Sequence, residues 1–85
     1  MLKYVAEFLG TLILLLAIVK YGKPIPIGLA LTAAIFFFGH ISGGHFNPAV
    51  SFMKFLAGGF PRNELIKYVL AQCLAAAVAL RLKNL

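Results

Sequence analysis

The chain has 85 residues, 62% of them apolar and only 12% charged, whereas soluble domains are roughly half apolar and about a quarter charged. A soluble domain this short has too much surface for its volume to cover so many apolar side chains, and a bilayer removes the difficulty by solvating them. The net charge of +6 comes from eight Lys and Arg against two acids. These cations flank apolar runs, as headgroup anchors do, and no aromatic–basic interleaving suited to base stacking occurs, so nucleic acid is not an expected partner. The expectation is an all-α, multi-pass integral membrane protein embedded in the lipid bilayer.

The first apolar run extends from Leu2 to Val19 and predicts a span over about residues 2–21, interrupted by Lys3 and Glu7. Lys3 and the apolar stretch resemble a signal peptide, but Lys20-Tyr21-Gly22-Lys23-Pro24 offers no small-residue cleavage site, so an uncleaved span is expected. That pentapeptide, with two cations and two breakers, reads as a loop. A second span is predicted over about 25–41, a stretch of 17 residues without a charge and thus at the short end of spanning length. A third is predicted over about 64–82, with Asn63 as its N-cap and Glu64 complementing the helix N-terminus. Small residues recur at spacing four in Ala6/Gly10, Ala30/Ala34 and Ala71/Ala75/Ala79, which permits close helix approach in lipid. Cys73, the single cysteine, excludes a disulfide within the chain, and its Ala-rich surroundings point to a packing role.

Residues 42–58 fit neither loop nor full span. Ser42-Gly43-Gly44-His45-Phe46 is glycine-rich and irregular. Asn47-Pro48 then reads as an N-cap with proline at the first helical position, and Gly58-Gly59 as a C-terminal stop. The helix between them is roughly 16 Å long, about half of a ~30 Å hydrocarbon core. Such an element dips to the midplane and returns. Irregular backbone at that depth is tolerated only where protein buries it or water solvates it. Gly43 and Gly44 leave carbonyls unobstructed for a file of water or small polar solutes. Asn47 caps the helix through its side-chain oxygen, which leaves its NH₂ as a free donor, and the helix N-terminus adds about half a positive charge nearby.

These residues carry a family resemblance. His40-Ile41-Ser42-Gly43-Gly44-His45-Phe46-Asn47-Pro48-Ala49-Val50 is similar to the first Asn-Pro-Ala loop of the aquaporin, or major intrinsic protein, family. Ala6-Glu7-Phe8-Leu9-Gly10-Thr11 resembles the family's first helix, and Ala57-Gly58-Gly59-Phe60-Pro61 with Tyr68-Val69-Leu70-Ala71-Gln72-Cys73 resembles its post-loop turn and third helix. The tripeptide alone is weak, but four matches in order across nearly the whole chain are specific. The resemblance implies one half of an aquaporin fold over residues 1–85: three transmembrane helices and one re-entrant half-helix.

It also implies roles. Asn47, Pro48 and Ala49 line the pore, with Asn47 as donor and the carbonyls of Gly43, Gly44 and His45 as acceptors. Glu7 accepts from re-entrant backbone N–H groups, in keeping with the expectation that an ionisable group within a span is functional and partnered. Gln72 braces the same loop, and His40 gives it packing or backbone support. Metal ligation by His40 and His45 is not expected, since no carboxylate or further histidine lies nearby. No cofactor is implied, and no nucleophile–base pair suggests an enzyme.

Complete family members resemble two such halves in opposite orientations, their half-helices meeting at the midplane, and sites at the interface of inverted repeats follow the same logic. The family's filter arginine, which follows its second Asn-Pro-Ala, falls here on Val50, and another filter position falls on Ile27. Two copies of this half therefore make an apolar constriction without arginine. Proton exclusion by facing half-helix dipoles, a known property of aquaporin-type channels, is compatible with that arrangement. The topology puts Lys3, Lys54, Arg62 and Lys67 on one side and Lys20, Lys23, Arg81 and Lys83 on the other, four against four. Orientation normally follows an excess of cations on the cytoplasmic side. Without one, insertion both ways and antiparallel pairing into a homo-oligomer is one expectation, and a single orientation set by the first helix is the other. The expected function is a passive channel for water and small neutral solutes, completed by a second copy or by a hetero-partner half. The rivals are a non-conducting subunit that modulates a complete channel, and a truncated remnant.

Overall fold

In the computed structural model, which describes residues 1–85, the apolar runs form helices α1 (Leu2–Lys20), α2 (Pro24–Ser42), α3 (Pro48–Ala57) and α4 (Arg62–Leu82), with no strand. α1 stops at Tyr21, Gly22 adopts a positive φ of 63°, and Pro24 opens α2 at its first position, where a missing N–H costs nothing. α2 ends on Gly43, a left-handed cap whose N–H reaches the Gly39 carbonyl. Ser42, expected in the irregular segment, is therefore the last residue of α2. This anchors its side chain.

The start of α4 differs from expectation. Pro61, extended at φ −64° and ψ 157°, occupies the cap position in place of Asn63. The Pro61 carbonyl accepts from the Leu65 N–H at 3.0 Å, so the helix begins one residue before Asn63. Proline supplies a preset φ just ahead of the helix, and the cap makes no side-chain hydrogen bond. Glu64 does sit in the first turn, but its carboxylate is engaged by the Lys3 ammonium and the Tyr4 hydroxyl. That contact fastens the start of α4 to the start of α1.

α1 lies between α2 and α4, and α3 packs on α4. Close approach is carried by small residues: Ala6, Gly10 and Ala17 on α1, Ala34 on α2, and Ala75 and Ala79 on α4 are buried. Large apolar side chains point outward, among them Leu29, Phe36, Leu70 and Leu74. A soluble fold would hide them; helices in lipid need not. α1, α2 and α4 are each long and apolar enough to cross a membrane.

α3 has ten residues, a rise of about 15 Å. Its start is level with the middle of its neighbours: Asn47 and Pro48 share a cleft with Thr11, Leu14 and Leu15 of α1 and with Gln72, Cys73 and Ala76 of α4. α1 and α4 run parallel, since Lys3 and Lys67 both sit over the Tyr4 ring, while Lys20 and Lys83 line one recess at the opposite end.

Candidate functional site

The site is built around one carboxylate. Glu7, on the buried face of α1, has no exposed surface. Its Oε1 accepts from the Phe46 N–H at 2.8 Å and from Gln72 Nε2 at 3.0 Å. Its Oε2 accepts from the His45 N–H at 2.9 Å and from the Ser42 hydroxyl at 2.7 Å. Four donors use the four acceptor sites a carboxylate offers, and two of them are loop backbone groups with no other partner. A short acceptor would not span both oxygens, and an apolar residue would orphan buried donors at a cost of about 1–3 kcal/mol each.

Other side chains complete the frame. The Tyr68 hydroxyl donates to the Ser42 carbonyl at 2.7 Å, and the Gly44 N–H donates to the Ser42 hydroxyl oxygen at 3.2 Å. Phe46, a non-glycine residue at φ 54°, is 2% exposed. It lies against Gly10 so closely that a Cβ there would meet ring atoms at 2.1 Å. Glycine on α1 is thus required by the loop as well as by helix packing. The His45 ring packs against Phe60 and Tyr68, with centroids at 5.1 and 4.9 Å, in a cluster of three rings, and its Nδ1 lies 2.8 Å from Ser51 Oγ.

This frame presents the tip of α3. Asn47 Oδ1 accepts from the Ala49 N–H at 2.7 Å, and Asn47, Pro48 and Ala49 are exposed. With its oxygen engaged, the Asn47 NH₂ is the free half of the amide. The carbonyls of Gly43, Gly44 and His45 accept no hydrogen bond within the chain. The tip borders the cleft of about 260 Å³ between α1 and α4. Two buried side-chain atoms there have no partner, Thr11 Oγ1 and Gln72 Oε1.

The residues picked from sequence separate into those the structure gathers and those it does not. Glu7, Gln72, Gly43, Gly44, His45 and Asn47-Pro48-Ala49 converge on the loop. Gln72 touches no loop backbone; it reaches the loop through Glu7 and through Ser51 Oγ at 2.9 Å. His40 is exposed and makes no hydrogen bond, because the last turn of α2 turns Ser42, two residues on, toward Glu7 instead. The bracing assigned to His40 falls to Ser42 and Tyr68. Ile27 is half-buried near the start of α2, apart from the loop. Ser42, Ser51, Tyr68, Phe46 and Thr11 were not singled out. A helical reading of α4 at spacing three and four, through Tyr68, Gln72, Ala75 and Ala79, would have found Tyr68.

The fold and this site define an all-helical protein with three helices of membrane-crossing length and a short apolar helix starting at mid-height, half of the aquaporin architecture. The family described as "Major intrinsic protein" matches residues 1–84, and the chain belongs to it. It is 40% identical to glycerol uptake facilitator protein-like 6 of Lactiplantibacillus plantarum, over 93% of this chain and 41% of that protein. It is 37% identical to aquaporin NIP3-1 of Arabidopsis thaliana, over 91% of this chain and 28% of that protein. It is 35% identical to aquaporin Z of Photorhabdus laumondii subsp. laumondii, over 91% of this chain and 40% of that protein. The chain therefore spans well under half the length of these relatives. No solved structure matches it significantly.

Proposed function

We propose that the chain forms half of a passive transmembrane channel for water and small neutral solutes such as glycerol, the pore being completed by a second half. The observation that carries this reading is the divided amide of Asn47. Its oxygen is held by the Ala49 N–H, so its NH₂ projects from the tip of a half-length helix at mid-height, beside glycine carbonyls with no partner in the chain. One donor facing a row of acceptors suits a single file of molecules that both give and take hydrogen bonds. In this reading residues 42–58 re-enter the membrane, Asn47, Pro48, Ala49, Gly43, Gly44 and His45 line the lumen, and Ile27 and Val50 form an apolar constriction. The names of the relatives, glycerol facilitator and aquaporin, agree with a small neutral permeant.

The second half is a second copy or a separately supplied half, docked on the cleft between α1 and α4. A non-conducting subunit that docks there on a complete channel is the rival, favoured by the same open cleft with Thr11 and Gln72 at its floor. The 85-residue chain reconstituted alone in liposomes separates the two: osmotic shrinkage faster than in empty vesicles is expected, and shrinkage at the empty-vesicle rate removes the homomeric channel. Asn47→Asp keeps the capping oxygen but replaces the donor by a negative charge that offsets the helix dipole. Reduced water flux or entry of cations is expected, and unchanged flux with cations still excluded refutes the role of Asn47.

A further inference from the structure

The hydrogen bonds behind His45 have a direction. Gln72 must turn its NH₂ toward Glu7, because the opposite amide orientation would set oxygen against a carboxylate oxygen. Its two N–H groups are then spent on Glu7 Oε1 and Ser51 Oγ, at 3.0 and 2.9 Å. Ser51 Oγ is an acceptor in that second bond, and a hydroxyl has a single proton to give. Ser51 is wholly buried, and its oxygen has one further partner, His45 Nδ1 at 2.8 Å. Were Nδ1 protonated, the Ser51 proton would be sealed in without an acceptor, which a buried hydroxyl does not tolerate cheaply.

We propose that Ser51, held as an acceptor by Gln72, donates to His45 Nδ1 and fixes the imidazole as the neutral Nε2–H tautomer, whose N–H is a second donor to the permeant. The position of Nε2 supports the last step. Nε2 has no protein partner, and the unpaired polar side-chain atoms sealed from the surface are Thr11 Oγ1 and Gln72 Oε1 alone, so Nε2 opens outward. It does so beside Gly43, which is exposed and whose missing Cβ would stand 3.4 Å from Nε2. Phe60 and Tyr68 pack against the ring, and a half-turn of it would set a C–H in place of Nδ1 against Ser51 Oγ. The titratable groups around it are Glu7 on α1, Lys54 on α3 and Tyr68 on α4, the last committed to the Ser42 carbonyl; α2 offers only His40, which is exposed. The tautomer stands on the geometry alone, while the donor role rests on the channel reading.

Nitrogen-15 NMR of histidine-labelled 85-residue protein in bilayers reads the tautomer directly, with His40→Asn removing the other histidine. Expected at neutral pH is an unprotonated Nδ1 and a protonated Nε2. A protonated Nδ1, or an imidazolium, overturns the assignment, and so does an unchanged spectrum in Ser51→Ala. Ser51→Thr keeps the hydroxyl and is expected to restore the wild-type signal. Osmotic flux gives an independent readout: between about pH 5 and 8, where histidine ordinarily titrates, wild type should vary less than about twofold and Ser51→Ala more. The predicted tautomer in a protein that conducts nothing upholds the wiring and overturns the donor role.

Discussion

Glu7 is the residue on which the loop depends most. Its carboxylate, carried on α1, is the common acceptor for α2, α4 and the loop, and the two backbone N–H groups it serves have no substitute. Glu7→Gln keeps the size but turns an NH₂ toward one of the oxygens' donors, setting donor against donor in a wholly buried place. We expect a loss of about 2–4 kcal/mol, read as a lower denaturation midpoint in detergent and as proteolysis near residues 43–47. Gly10→Ala tests the neighbouring contact. The added methyl would overlap the Phe46 ring, and overpacking of this kind costs about 1–3 kcal/mol. If Gly10→Ala melts as wild type does, the Phe46 ring does not pack tightly against Gly10. Both residues show what sequence can and cannot disclose. A lone acid inside an apolar run announces a partnered group, so Glu7 was legible. Gly10 was read only as a packing residue, because its second duty depends on a ring 36 positions away that no local pattern predicts. Ser51 was illegible for the same reason: a serine on α3 facing a histidine in the irregular segment before it has no signature until the loop's path is known.

At the scale of elements, α3 was the most legible piece because its signals are local. Asn47 caps it, Pro48 opens it and Gly58 stops it, all within sequence neighbours. The start of α4 differs from the expected Asn63 cap because the chain bends through Gly58 and Gly59, both at positive φ, and Pro61 then enters the helix with its φ preset. The exit from α3 makes a separate prediction. Gly58 has φ 91° and ψ 157°, a region essentially confined to glycine, and nothing lies within 4 Å of where its Cβ would be. Any cost of Gly58→Ala is therefore conformational, about 1–3 kcal/mol, and not steric. The variant should lose stability in thermal melts followed by circular dichroism, and Gly58→Ser should lose about as much, since side-chain size is irrelevant where space is open. A much larger loss for the bulkier residue would point to crowding instead.

At the scale of the whole molecule, the distribution of charge bears on how two halves meet. Lys3 and Lys67 gather around Tyr4 at one end, Lys20 and Lys83 line a recess at the other, and with Lys54 and Arg62 against Lys23 and Arg81 the count is four to four. Glu64, paired with Lys3, offsets one cation at the first end, and acids count little in orientation. A chain so balanced inserts in both directions in the dual-topology reading. Two opposed copies are then related by a two-fold axis in the membrane plane. A two-fold interface must be self-complementary, and the exposed Asn47-Pro48 tip and the cleft it borders lie on one contiguous patch, plug beside socket. The prediction concerns orientation first. A tag after Leu85 should be accessible from both sides of the membrane in comparable amounts. Tyr21→Arg with Asn84→Lys adds two cations at exposed positions of the second end without touching the loop. That variant should settle with this end in the cytoplasm and lose osmotic flux when expressed alone. Flux should return on co-expression with a variant biased the other way by cations at the exposed Leu2 and Asn63. A one-sided tag in the wild type excludes the antiparallel homodimer, whereas full flux from the single-orientation variant shows that its second half comes from elsewhere.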